Sequence, residues 1–380
     1  MASPALAAKA EDALGLGEDV YGNILLLEHL NINTDAPEAA LAFYIEGLGC
    51  AQDPRMGTVV GDAVYVNGIV WFNAGISQFH VPLTNRGSGG ALNNLVRGRV
   101  GLSVPSLAEL RQRLRGLEEG SGPLSRGKTQ FAWRDVDGGA EVEVTGPLGN
   151  VFVVCEQEAS ARDARGYHPG PLSWCLGMPF VEFWCSRGAA SGIARYYQHY
   201  LGALVESETG TGVASIWAGP QQRIRFVEVS QTASGNEADA EEPYHAAERG
   251  AHICIYVLDH SGPLRRLWQE GLLWGNPRFR DLDRALGTTQ FRCKDIVDPW
   301  DSARPRAVLL ELEHEVRTVQ HQTAPFGHPK PYILPGREKS VPQLVSTVTE
   351  KYERDFATFR AKNNSIAEGF VPAPDPTSSL

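Results

Sequence analysis

The feature that most constrains this chain is that it repeats itself. An early helix-patterned segment ends Phe43-Tyr44-x-x-x-Leu48-Gly49, and a later one ends Tyr196-Tyr197-x-x-x-Leu201-Gly202, an offset of 153 residues. The same offset relates the strand-like run RVGLSV at 99–104 to HICIYV at 252–257. A third echo, at offset 160, pairs Thr129-Gln130-Phe131-x-x-x-Asp135 with Thr289-Gln290-Phe291-x-x-x-Asp295. Three echoes in the same order imply a duplicated chain. The copies span 22–158 and 178–320, joined by a polar, turn-rich linker at 159–177.

Each copy divides again into two runs of strand, helix and several strands. In the first run, LLLEHLN at 25–31 reads as a strand, Thr34 or Asp35 as a helix cap, and Pro37 as a first-turn residue. Leu41, Ile45 and Leu48 recur at helical spacing, and Gly49 stops the helix. Strands are expected at 58–66 and 69–81, and further helices at 107–117 and 264–273. Arg86-Gly87-Ser88-Gly89-Gly90 reads as a connector between modules, because no Gly-Lys-Ser/Thr follows to make a phosphate cradle. The acidic stretch 231–250 reads as a solvated loop, with a lid over a site as the alternative. Residues 1–21 form an N-terminal extension and 321–380 a tail. Within the tail, Leu344, Val348, Tyr352, Phe356 and Phe359 mark one face of a C-terminal helix at about 341–362.

Composition narrows the partners. A net charge of -10 with no basic stripe excludes nucleic acid and anionic membranes as expected partners. No apolar run is long enough to span a bilayer, and residues 1–23 lack the apolar core of a signal peptide. Six cysteines without a C-x-x-C pair read as reduced, buried thiols, which together with these absences points to the cytoplasm.

The βαβββ modules, the F-Y-x-x-x-L-G helix end and a strand of G-H-V-G-L type together resemble the vicinal oxygen chelate superfamily. That superfamily includes glyoxalase I, bleomycin and fosfomycin resistance proteins and extradiol dioxygenases. The resemblance covers roughly 300 residues and implies an α+β fold: two tandem glyoxalase-like domains, each of paired βαβββ modules. It also implies metal ligands at four positions, on the first and last strands of two modules curled around one metal.

Carried over position by position, the resemblance selects the residue 14 before the aromatic of each helix end, His29 in copy one and Glu182 in copy two. The closing strand of the first module contributes His80 and, in copy two, Glu228. The opening strand of the second module contributes Arg99 and His252, and the last position falls on Val153 and Glu313. Copy two is thereby expected to bind a divalent ion, zinc, nickel, manganese or iron, through Glu182, Glu228, His252 and Glu313. Glu182 and Glu313 would be the proton-moving residues, and Glu311 is the alternative to Glu313. Three carboxylates and an imidazole suit such an ion. Against this, Glu311, Glu313 and Glu315 alternate along one strand face, as solvent-facing stripes do. Copy one keeps His29 and His80 as a weaker pair. There Arg99 and Gln78 would face a substrate, with Arg99 repelling a cation and receiving a carboxylate or phosphate. Whether each barrel closes within a copy, across copies or in a homo-oligomer stays open.

The implied function is a glyoxalase-like, metal-dependent lyase or isomerase acting on a small molecule with vicinal oxygens. Two alternatives stand beside it: an extradiol-type ring-cleaving dioxygenase, and a metal-free small-molecule binding protein.

Overall fold

In a computed structural model the described residues are 22–34, 36–53, 69–82, 96–125, 129–158, 173–208, 210–229, 251–276, 289–321 and 324. The N-terminal extension, the strand expected at 58–66, the 86–90 connector, the 231–250 insertion and the 341–362 helix lie outside them.

Four βαβββ modules follow one another. The first holds β1 (Ile24–Asn31), α1 (Pro37–Leu41), β2 (Ala51–Gln52), β3 (Ile69–Ala74) and β4 (Ser77–Pro82). The second holds β5 (Gly98–Val104), α2 (Leu107–Glu119), β6 (Ala132–Val136), β7 (Glu141–Thr145) and β8 (Val151–Glu156). The third holds β9 (Gly177–Cys185), α3 (Ala190–Tyr196), β10 (Val205–Glu208), β11 (Val213–Trp217) and β12 (Arg223–Glu228). The fourth holds β13 (His252–Val257), α4 (Ser261–Gln269), β14 (Gln290–Val297) and β15 (Val308–Thr318). In that last module the remaining strand position shrinks to a single bridge between Leu273 and Cys293.

The chain is thus an α+β protein built from paired βαβββ modules, and the pairing crosses the two sequence copies. One sheet has seven strands in the order β14-β15-β13-β1-β4-β3-β2, which joins the fourth module to the first. The other has eight strands in the order β10-β11-β12-β9-β5-β8-β7-β6, which joins the third to the second. In every module the opening strand pairs in parallel with the closing one, as β1 with β4 and β13 with β15. The modules then meet through antiparallel opening strands, β1 with β13 and β5 with β9. All eight residues of β1 are buried, as its continuous leucine-rich run demands of a strand covered on both faces.

The helix echo has a conformational cause. Both segments widen from α into π turns, over Ala42–Gly47 and Tyr197–Leu201. Each then closes on a glycine in the left-handed region, Gly49 at φ 70° and Gly202 at φ 67°. A side chain at Gly49 would also meet the Trp174 ring at 2.4 Å. Thr34 does not cap α1: Ala36 occupies the cap position, and Thr34 Oγ1 accepts from the Ala36 amide at 3.0 Å, while Asp35 lies outside the described residues. In α2 the expected pattern holds, with Ser106 accepting from the Glu109 amide and Leu107, Leu110, Leu114 and Leu117 buried.

The sheets share one apolar core. Gln222 stitches them together, its amide donating to Leu27 O (3.1 Å), Ser77 Oγ (2.8 Å) and Met178 O (2.9 Å) while accepting from the Leu27 amide (3.1 Å).

Candidate metal centre

The seven-stranded sheet gathers His29 on β1, His80 on β4, and His252 and the Glu311–Glu313–Glu315 stripe on β13 and β15. Candidate ligands from the two sequence copies therefore meet in one place. Donor atoms of His29, His252 and Glu315 all lie within 4.8 Å of one another, and all three residues are buried. The two Nε2 atoms are 3.2 Å apart. Two ligand bonds of about 2.1 Å meeting at roughly 90–110° put their nitrogens about 3.0–3.4 Å apart, so the observed separation suits adjacent ligands of one ion.

Local structure sets each donor. His29 Nδ1 donates to Glu28 Oε2 at 2.6 Å, which leaves Nε2 with its lone pair facing His252. Glu28 and His29 are consecutive, and a regular strand would send them to opposite faces. The β1–β13 register shifts between Leu27 and His29, and that irregularity turns both toward the centre. Burial lowers the pKa of His29 despite Glu28, and that of His252 falls further under burial and the neighbouring His29 and Arg292. Both imidazoles are accordingly neutral, the form that binds metals.

Glu315 receives Arg292 Nη2 at 2.5 Å and a second guanidinium from Arg317. Burial works to raise its pKa, but the two arginines override it and hold the carboxyl well below the usual carboxylate range. Glu313, one rung away, behaves oppositely. Burial raises its pKa although Arg292 (2.6 Å) and Asn276 (3.0 Å) bond to it. Its Oε2 is 4.0 Å from His252 Nδ1.

Register explains why Glu315 converges. The parallel neighbour of His29 is Gln78, with His80 two residues on; the parallel neighbour of His252 is Glu313, with Glu315 two residues on. Glu315 thus occupies the rung of His80, and Glu313 that of Gln78. His80 itself stacks between Trp71 (4.1 Å) and His29 (3.5 Å), and its Nε2 donates to Gln78 Oε1 at 3.2 Å. It forms a wall beside the cluster rather than a member of it.

The set Glu182, Glu228, His252 and Glu313 is not assembled, because strand pairing crosses the copies. Glu182 lies in the eight-stranded sheet, fully buried, bound by Arg99 Nε (2.9 Å) and Nη2 (3.2 Å). Glu228 turns to the start of α3, where Oε1 accepts from the Ala190 amide at 2.9 Å. Val153 is buried on β8 and offers no donor atom. Glu311 pairs with Lys294.

Glu315 was visible in the sequence as the third member of an alternating stripe, but nothing local favoured its rung. Arg292, Arg317 and Glu28 carried no local signal at all. The donor set fits a divalent cation: two neutral imidazoles, one ionised carboxylate, and, among the described residues, a surround of Glu28 and Glu313 with Arg292 and Arg317. Each Glu315 oxygen retains a lone pair beyond its arginine bond.

This paired βαβββ architecture is the one that the resemblance to the vicinal oxygen chelate superfamily implies. The sequence matches no protein-family model and no curated protein. Solved structures similar to it include a Bacillus subtilis protein provisionally described as a dioxygenase, at 14% identity and TM-score 0.45, covering 92% of this chain and 97% of that one. A single-site variant of glyoxalase I from Zea mays has 12% identity and TM-score 0.47, covering 82% of this chain and 96% of that one. The unmodified maize enzyme has 10% identity and TM-score 0.44, covering 77% and 92%. At these identities and TM-scores the likeness carries nothing about reaction. No described helix is long and apolar enough to cross a membrane.

Proposed function

We propose that the chain is a metal-dependent enzyme acting on a small molecule with two adjacent oxygens, and that His29, His252 and Glu315 hold the metal. The observation that carries this is the convergence of their donor atoms within 4.8 Å. Two imidazoles and one carboxylate are the set that holds ferrous iron in oxygenases, which favours the ring-cleaving dioxygenase reading. When bound, the metal would supply a Lewis-acid centre for neighbouring substrate oxygens.

The chain's own residues do the rest. Glu28 fixes the tautomer of His29, and Arg292 and Arg317 keep Glu315 ionised and aimed. Glu313, with its raised pKa and its place beside His252, is the group suited to hold or move a proton. That feature favours a second reading, the glyoxalase-like isomerase, in which Glu313 takes a proton next to a carbonyl.

The test begins with protein stripped of metal and reloaded with Fe(II), Ni(II) or Zn(II). One equivalent per chain is expected, and none in His252→Ala. Oxygen uptake with catechols under Fe(II) supports the dioxygenase reading. Ni(II)- or Zn(II)-dependent turnover of 2-oxoaldehyde adducts without oxygen uptake supports the isomerase. Unchanged metal content in His252→Ala would place the metal elsewhere and sink both; no metal uptake by the wild type would leave a metal-free binding protein, which pairing of Glu315 by two arginines would also suit.

A further inference from the structure

The eight-stranded sheet repeats the architecture of the seven-stranded one and replaces its two opposed histidines with an ion pair. Where the first sheet has His29 and His252, sequence-equivalent positions hold Glu182 and Arg99, directly opposed across β9 and β5. Glu182 is fully buried and holds two guanidiniums: Arg99 by the two bonds above, and Arg225, on the parallel neighbour strand, at 3.3 Å. Trp184 Nε1 also donates to it, at 3.3 Å. On the central strands β12, β9, β5 and β8, this face carries Arg99, Arg223 and Arg225 around Glu182, and the next carboxylates on the face lie on outer strands, Glu206 on β10 and Glu141 and Glu143 on β7. Yet the side chains of Arg99 and Arg225 are 41% and 34% exposed.

We infer that this face is an anion site, binding a small oxyanion, carboxylate or phosphate, carried on a flat apolar body. Glu182 is the fixed internal counter-charge that orients both forks. Each guanidinium has five donors, and Glu182 engages only some of them, so the remainder serve a bidentate oxyanion. The walls suit a planar group: Phe180 lies 5.3 Å from the Arg225 guanidinium, Arg223 covers Trp217 at 3.0 Å, and Trp184 is half-buried beside Glu182. Val153 in place of a fourth ligand keeps a dication out. The two sheets then take opposite charges, a cation in one and an anion in the other.

The metal ligands proposed above all lie in the other sheet, so this inference stands or falls separately. The test is calorimetry on the full chain, kept metal-free with EDTA, with phenyl phosphate, benzoate, inorganic phosphate and neutral benzyl alcohol as probes. Phenyl phosphate or benzoate should bind at least about tenfold tighter than benzyl alcohol, and the preferred arm identifies the oxyanion. Arg225→Gln, which leaves the Arg99–Glu182 bonds in place, should weaken binding by about ten- to hundredfold. Arg225→Lys should recover part of it, and metal loading of either variant should match the wild type. Should Arg225→Gln fail to fold, the Arg225→Lys loss decides. Anions that bind no tighter than benzyl alcohol, or equally well in both variants, would overturn the inference. So would binding lost only in His252→Ala, since it would belong to the first sheet.

Discussion

Glu313 and Glu315 sit two residues apart on one strand face, yet their removal should have very different consequences. Glu315 is 3% exposed and bonds both Arg292 and Arg317, themselves 4% and 9% exposed. Glu315→Gln keeps the shape and deletes the charge. Arg292 retains Glu313 at 2.6 Å, but the next carboxylate to Arg317 is Glu28 at 3.6 Å. Breaking one buried pair costs about 3–5 kcal/mol, and partial recovery through Glu28 places this case near 3. Glu313→Gln removes a carboxyl whose ionised form burial already disfavours, and it leaves Arg292 its bond to Glu315, so about 1 kcal/mol is expected. The signs with pH also differ. The lowered pKa of Glu315 contributes stability at neutral pH that fades as pH falls through its folded value. The raised pKa of Glu313 contributes stability at low pH that is lost as pH rises through its folded value. Glu313→Gln should therefore gain on the wild type as pH rises from the acid range. Urea unfolding of the metal-free proteins at pH 7 reads the difference. Equal losses, or a larger loss for Glu313→Gln, would refute the assignment of the ionised ligand to Glu315.

Glu28→Gln should lower metal affinity by roughly ten- to a hundredfold while leaving stoichiometry at one, measured by competition with a chromogenic chelator; unchanged affinity would remove Glu28 from the site. Burial lowers the His314 pKa to about 4, with Tyr197 O–H donating to Nε2 at 2.5 Å. The unfolded chain therefore binds the extra proton between about pH 4 and 6.5, and stability rises with pH there by up to ~1.4 kcal/mol per unit. His314→Phe should flatten that slope by one proton, and an unchanged slope would contradict it. Gly49→Ala should cost about 2 kcal/mol or more, because φ is positive and the Trp174 ring blocks the new methyl; a thermal midpoint equal to the wild type would show that the ring moves aside freely.

Much of the fold was legible because its signals are local. The Phe43-Tyr44 and Tyr196-Tyr197 echoes mark π turns and glycine stops, which depend on neighbouring residues alone. Strand partners depend on contacts far apart in sequence, so nothing in 22–158 announced that β1 would lie against β13. The histidines were found because each sits at a module's opening or closing strand. Glu315 escaped because a two-residue slip along a strand keeps the face and changes only the rung. Glu228 was placed across an insertion of unknown length, and it caps a helix instead. Glu28 could not be anticipated, since only a register irregularity brings adjacent residues to one side.

The pairing of first with fourth module, enclosing second with third, reads like nested parentheses, and it sets an order of events. The inner sheet can be completed once β12 has been made, whereas the outer one waits for β15. Its ring of donors spans positions 29 to 315 of the chain, and closing so long a loop is slow and entropically costly until the inner sheet has brought the ends together. A ribosome-bound chain lacking its last strand would therefore hold a finished arginine face and half a metal centre. Neither half of the gene, expressed alone, would encode a complete donor set, whereas co-expressed halves would have to find one another to make it.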